Sequence, residues 1–157
     1  MNQKLTIIFD LDGTLINTAA DLMLAHNHVM KKYGYSERKL SDIKKLAGRG
    51  SKVMLTKSIN EITEFGEKIK KSNDLIDGMT KEFVDYYSKN ILKESTLKNG
   101  LLDFLSWCKK NSISMGVCTN KQEHLSIDLL KKIKIYEFFD YVAGGNTFNH
   151  NKPDPRH

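Results

Sequence analysis

Cysteine is nearly missing from this 157-residue chain, which has only Cys108 and Cys118. Two thiols, placed in segments that read as helix and strand, make neither a disulfide framework nor a metal cluster. They read as small buried thiols, and a reducing cytoplasm is the natural setting. Arginine is scarce too: of the 25 basic residues only Arg38, Arg49 and Arg156 carry a guanidinium. The lysines fall in pairs on polar helix faces, as in Lys31-Lys32, Lys44-Lys45, Lys109-Lys110 and Lys131-Lys132. No aromatic residues interleave them to stack on bases, so the net charge of +6 does not argue for a nucleic-acid partner. No apolar run approaches the roughly twenty residues of a membrane span. Leu5–Phe9, after Met1-Asn2-Gln3-Lys4, is too short for the apolar centre of a signal peptide. The chain's two prolines both fall within Pro153-Asp154-Pro155.

What remains is a globular composition, 39% hydrophobic and 28% charged, with enough length for a single domain or for a small core carrying a second lobe. Its most informative stretch is Phe9-Asp10-Leu11-Asp12-Gly13-Thr14-Leu15. The apolar, β-branched run Leu5-Thr6-Ile7-Ile8-Phe9 reads as a strand buried on both faces, as in a parallel sheet. It stops at two carboxylates one residue apart. Burying both unpaired is costly, so they belong where the strand emerges into a cleft. In open α/β sheets, ligands bind at that edge. An ordinary Asp-Gly turn is the simpler reading of Asp12-Gly13. A calcium loop is excluded, because Thr14 and Ile16 do not supply alternating oxygens and no Glu closes a twelve-residue loop.

Helical periodicity follows. Ala19, Leu22, Met23, His26, Val29, Met30 and Tyr33 recur at three- and four-residue spacing, with Thr18 as N-cap and Gly34 as stop. His26 on that stripe reads as a satisfied core histidine. A short helix carries Leu40, Ile43 and Leu46, and another opens at Ser51 with Val53, Met54, Leu55 and Ile59. After a polar connection, Leu75, Ile76, Met79, Phe83 and Tyr87 share one face of a longer helix. Residues 17–95 therefore form a helical cluster inserted between the first strand and the rest, which is not the plain alternation of a doubly wound sheet. Within it, Gly48-Arg49-Gly50 suits a loop that brings a guanidinium near an anion, or merely a connection with a solvated Arg49.

Leu101, Leu102, Leu105 and Cys108 mark an amphipathic helix, and Ile113–Cys118 a second buried strand ending at Thr119-Asn120. A hydroxyl and free backbone N–H groups before a helix make either an anion site or a simple N-cap. A third strand holds Tyr141-Val142-Ala143 and ends at Gly144-Gly145. Beyond it, the two prolines stiffen a loop that fixes the direction of Lys152.

Asp10-Leu11-Asp12-Gly13-Thr14-Leu15, then Thr119-Asn120, then Lys152 resemble three successive motifs of the haloacid dehalogenase-like hydrolases. Within that family the chain looks most like the phosphoglycolate phosphatase branch. The resemblance implies an α/β fold, with a partial Rossmann-like parallel-sheet core (1–16 and 96–157) and an inserted all-helical cap (17–95). It implies Mg2+-dependent hydrolysis of a small phosphorylated metabolite through an aspartyl-phosphate. Asp10 is then the nucleophile and Asp12 the acid and base, with both in the metal site. Thr119, Asn120 and Lys152 hold the phosphoryl group, and Arg49 faces the substrate from the cap. The mildly positive field would gather such an anion. Asp12 sets the chain apart from a dehalogenase, whose halide needs no proton, whereas pyrophosphatases and hexose phosphomutases of the family remain open. Asn17 stands where relatives often carry an acid. A fourth, acidic motif is expected beyond His157. Its strand would lie beside the first, so without it that strand becomes an edge, and a non-catalytic fragment is the rival reading.

Overall fold

A computed structural model describes residues 5–64 and 73–157. The Met1–Lys4 start and the polar connection at 65–72 lie outside the described residues. Strand β1 (Thr6–Phe9) pairs in parallel with β4 (Ser114–Cys118), with Thr6 opposite Ser114 and Phe9 opposite Val117. On its other side β4 pairs in parallel with β5 (Tyr141–Ala143), giving the order β1-β4-β5. All three strands point the same way, so Asp10, Thr119 and Gly144 follow their carboxyl ends at one edge. This is the mixed α/β class with a parallel sheet that the motifs imply.

A second, two-stranded ribbon pairs β2 (Ile16–Asn17) antiparallel with β3 (Thr96–Leu97). Between these strands run α1 (Ala19–Lys32), α2 (Leu40–Leu46), α3 (Ser51–Glu64) and α4 (Asn73–Lys89). Helix α1 buries Leu22, Ala25, His26, Val29 and Met30 at helical spacing. It stops where Gly34 takes φ 78°, so that Gly34 N–H reaches the Lys31 carbonyl (3.1 Å) and Tyr35 N–H that of Met30 (2.8 Å). Helix α4 packs on α1 and α3 and buries Ile76, Met79, Phe83 and Tyr87. The insert is tied at its base by Asp21. Its carboxylate, 1% exposed, accepts the Glu94 and Ser95 N–H groups (2.9 Å each) and the Ser95 hydroxyl (2.6 Å). Helices α5 (Leu101–Lys110) and α6 (Glu123–Lys132) pack Leu105, Cys108, Leu125 and Leu129 into the core. Among the described residues, no helix is long and apolar enough to cross a membrane.

His26 is satisfied as expected. Its Nδ1 lies 3.1 Å from Asn27 Oδ1 and its Nε2 2.9 Å from Ser58 Oγ. Other expectations need correction. Strand β1 is not buried on both faces, since Leu5 and Ile8 stay 59% and 55% exposed, although its place at the sheet edge is the one expected with no further strand beside it. Its inward residue Phe9 meets Phe104 and Phe139 edge to face. Thr18 sits at the N-cap of α1 without making a capping bond, because its hydroxyl is committed elsewhere. Val53 and Leu102 lie on the outer faces of their helices, and Cys118 is only half-buried at the strand end.

Candidate active site

The chain leaves β1 through a tight turn. Leu15 and Ile16 N–H groups both donate to the Leu11 carbonyl, and Gly13, at φ 81°, donates to the Ile16 carbonyl (2.8 Å). A side chain other than glycine is strained at that φ. The turn buries Leu11 and Leu15 and leaves Asp10 and Asp12 facing the sheet's carboxyl edge.

Asp10 Oδ1 accepts its neighbour Leu11 N–H (2.8 Å) and forms an ion pair with Lys152 Nζ at 2.9 Å. The ammonium also donates to the Cys118 carbonyl at the end of β4 (2.8 Å). The proline-bearing loop thus directs Lys152 across two strand ends. Both side chains keep about a third of their surface, 34% for Asp10 and 31% for Lys152, so an anion can reach them.

Asn120 is a clip between loops. Its Nδ2 donates to the carbonyls of Gly48 (3.0 Å) and Lys152 (3.1 Å), and its Oδ1 accepts Lys152 N–H (2.9 Å). Thr119 is fully buried, with its N–H on the Ala143 carbonyl and its hydroxyl accepting Lys121 N–H (3.2 Å). Helix α6 takes Gln122, not Thr119 or Asn120, as its N-cap residue. Gly145 is required by close approach: a Cβ there would lie 2.4 Å from the Asn120 carbonyl oxygen.

Gly48 and Gly50, at φ 82° and 83°, bend the loop between α2 and α3 down onto this edge. A Cβ on Gly48 would lie 3.8 Å from Asp10 Oδ2. Between these glycines Arg49 is exposed and makes none of the contacts above. The loop's backbone, rather than its guanidinium, meets the strand ends.

Three residues to which the sequence assigned no part in the site, Thr18, Lys121 and Tyr87, complete the surroundings of Asp12. Its Oδ1 accepts the Thr18 hydroxyl (2.7 Å) and pairs with Lys121 Nζ (3.2 Å), with the Asp12 and Lys121 side chains each 5% exposed. Lys121 Nζ also donates to Tyr87 Oη on α4 (3.0 Å) and lies 4.2 Å from the centre of that ring. Burial pushes the Tyr87 phenol up to about 12, only partly offset by the ammonium. Burial pulls the Lys121 ammonium down, but Asp12 and Tyr87 outweigh it and hold it above the usual lysine range. A cavity of about 40 Å³ lies here between Asp12, Asn120 and Lys121 on one side and Met54, Phe83 and Tyr87 on the other.

The arrangement thus has a carboxylate–ammonium pair open to solvent and, just beyond it along the chain, a second carboxylate whose side chain is 5% exposed. Two acids of different surroundings at a strand end suit different roles, one attacking and one moving protons. The model of the family described as haloacid dehalogenase-like hydrolase matches residues 7–157, which includes all of these residues. The chain belongs to that family.

Among family relatives, a phosphoglycolate phosphatase of Agrobacterium fabrum is 35% identical over 96% of this chain and 62% of its own length. The chain thus spans about three-fifths of that curated relative. The crystal structure of a predicted phosphoglycolate phosphatase from Haemophilus somnus superposes with a TM-score of 0.90 at 27% identity, covering 99% of this chain and 69% of that one. A β-phosphoglucomutase from Clostridium difficile superposes with a TM-score of 0.77 at 26% identity, over 98% and 67% of the two chains. For a metal, the edge offers a hard oxygen donor in the partly exposed Asp10 carboxylate. The described residues contain no group of three or more His, Cys, Asp or Glu side chains placed to hold an ion.

Proposed function

We propose that the protein to which this chain belongs is a phosphomonoester hydrolase acting through an aspartyl-phosphate, with phosphoglycolate or a similar small ester as substrate. The observation that carries this is the 2.9 Å Asp10–Lys152 pair at the sheet edge, with Asp12 two residues on and its side chain only 5% exposed. An Asp10 carboxylate oxygen bonds to phosphorus in line as the bond to the substrate alkoxide breaks. Asp12, protonated, gives its proton to that alkoxide. It then takes a proton from the water that attacks the phosphoaspartate. Lys152, the Thr119 hydroxyl and the Asn120 backbone N–H balance charge on the phosphoryl oxygens. Mg2+, held by the Asp10 carboxylate and Asp12 carbonyl, would supply further neutralisation of phosphate charge when bound.

Residues 1–16 and 96–157 are the core of this reading, and 17–95 the cap that excludes water from the chemistry. Arg49, on the α2–α3 loop that comes down beside Asp10, is the cap residue assigned to the substrate's distal anionic group. The two free thiols suit a reducing cytoplasm. Nothing in the reading calls on nucleic acid or membrane. The likeness to a β-phosphoglucomutase favours a second reading, phosphoryl transfer between sugar hydroxyls by the same two acids.

A substrate panel with Mg2+ separates these readings: phosphoglycolate, pyrophosphate and hexose phosphates, run on the full-length protein and its Asp10→Asn variant. Phosphate release from phosphoglycolate that vanishes in Asp10→Asn is expected. Full activity in Asp10→Asn would sink the mechanism, and isomerised hexose phosphate without net phosphate release would favour the mutase.

A further inference from the structure

We propose that Lys121 is a positioning residue that makes the proton-transfer geometry of Asp12 depend on the seating of the helical insert, through Tyr87. This rests on the phosphatase reading and adds to it a residue outside the three motifs.

The argument starts from the cost of the arrangement. An ammonium 5% exposed has lost nearly all its hydration, and that loss is restored only by good partners. Lys121 has two described partners, and they come from opposite sides of the cavity. Asp12 Oδ1 belongs to the strand end, whereas Tyr87 Oη and its ring face belong to α4. With α4 seated, the ammonium is shared between carboxylate, hydroxyl and π-face. With α4 withdrawn, the tyrosine's two contacts are gone and water takes their place. The position of Nζ, and with it that of the Asp12 carboxylate, is then no longer over-determined. Thr18 does not substitute for this, because it holds Asp12 from the start of α1 at the base of the insert.

The same geometry argues against Lys121 as a ligand for the substrate's own anion. Its Nζ already serves a carboxylate and a hydroxyl with its side chain 5% exposed, whereas Lys152 is a cation left 31% exposed. Lys121 therefore acts on turnover through Asp12. Its effect belongs to the step in which a proton must be delivered, and not to substrate affinity.

That distinction gives the test. Phosphoglycolate loses an alkoxide that needs a proton, whereas p-nitrophenyl phosphate loses a phenolate that does not. First-turnover rates of both esters would be measured for the full-length protein and for Lys121→Met, Lys121→Arg and Tyr87→Phe. Lys121→Met should slow phosphoglycolate cleavage about 10- to 100-fold, part of what a positioned acid contributes. It should change p-nitrophenol release less than about threefold and leave KM for phosphoglycolate within about twofold. Lys121→Arg should restore most of the loss. Tyr87→Phe, which keeps the ring and removes one hydroxyl, should show a smaller loss of the same selectivity. If Lys121→Met does not fold, the mild Tyr87→Phe change carries the test by itself.

Equal slowing of both esters would reduce Lys121 to a structural role and overturn the proposal. A rise in KM confined to phosphoglycolate, with the first-turnover rate kept, would make it a substrate ligand and overturn it as well. Unmodified protein inert towards both esters would refute the phosphatase reading and the proposal with it. Variants of an active phosphatase that cleave both esters at the unmodified protein's rates would refute the proposal alone.

Discussion

Removing the Asp21 carboxylate should cost this fold a large part of its stability, although Asp21 touches no substrate. The carboxylate accepts three hydrogen bonds from two consecutive residues at the far end of the helical insert. In Asp21→Ala these three donors lose their acceptor together. Glu94 is exposed, so water can satisfy its N–H at little cost. Ser95 is 9% exposed, and its N–H and hydroxyl are left without a partner in a site too closed for easy hydration. At roughly 1–3 kcal/mol for each unsatisfied group, with the rotatable hydroxyl at the low end, the loss is about 3 kcal/mol. A domain of this kind has on the order of 5–15 kcal/mol in all. With a urea slope of about 2 kcal/mol per molar, the midpoint should fall by about 1.5 M. Asp21→Asn, which keeps one acceptor oxygen, should fall about half as far. Asp103, exposed in the first turn of α5, is the control, and its alanine variant should shift by less than about 0.5 M. A shift below about 0.5 M for Asp21→Ala would mean that the tie is replaced by water and that the reasoning is wrong.

Two further outcomes are expected. Burial, opposed by the Asn27 hydrogen bond and helped by nearby Arg38, holds the His26 imidazole below its ordinary 6.5. The unfolded chain then binds the proton first, so this contribution is present above about 6.5 and is lost as pH falls through the lower folded-state value. The drop in urea midpoint between pH 7.5 and 5.5 should therefore shrink in His26→Gln, and an unchanged drop would refute the assignment. At Gly145, an alanine Cβ would stand 2.4 Å from a backbone oxygen of Asn120, which cannot rotate away. Gly145→Ala should displace Asn120 from Gly48 and Lys152, lowering kcat/KM on phosphoglycolate at least about tenfold. Stability should fall by about 1–3 kcal/mol in urea titration. Wild-type kinetics in that variant would show that the Asn120 clip is dispensable.

The features of the site legible in the sequence were those signalled locally. A strand that stops at Asp10, a strand that stops at Thr119 and a proline-stiffened loop at Lys152 each announce a chain direction. Parallel pairing then brings their ends to one edge. His26 was legible for the same reason, since an apolar stripe at helical spacing predicts its burial. Lys121 was not: in the sequence it is one lysine among many, and only the packing of α4 brings Tyr87 to it. Thr18 looked like a capping residue because its position is a capping position, but its hydroxyl found a carboxylate six residues back and took that instead. Asp21 and Ser95 carry no mutual signal across the insert. The outward face of β1 was misread because an apolar run reports affinity for a core and not whether anything packs on each face, whereas the strand's place at the edge was expected.

The ribbon of β2 and β3 determines how much chain the parallel sheet must close. Pairing Thr6 with Ser114 joins positions about a hundred residues apart. The entropy lost in such closure grows with the logarithm of the intervening length, by about 0.6 kcal/mol for each doubling. Once Ile16 lies against Leu97 and Asn17 against Thr96, the four helices hang outside the loop as a closed unit. The chain left to close is then roughly a quarter as long, which saves about 1 kcal/mol of closure entropy. Two residue pairs, clamped by one buried carboxylate beside them, thus let an insert that is long in sequence count as a short one in topology.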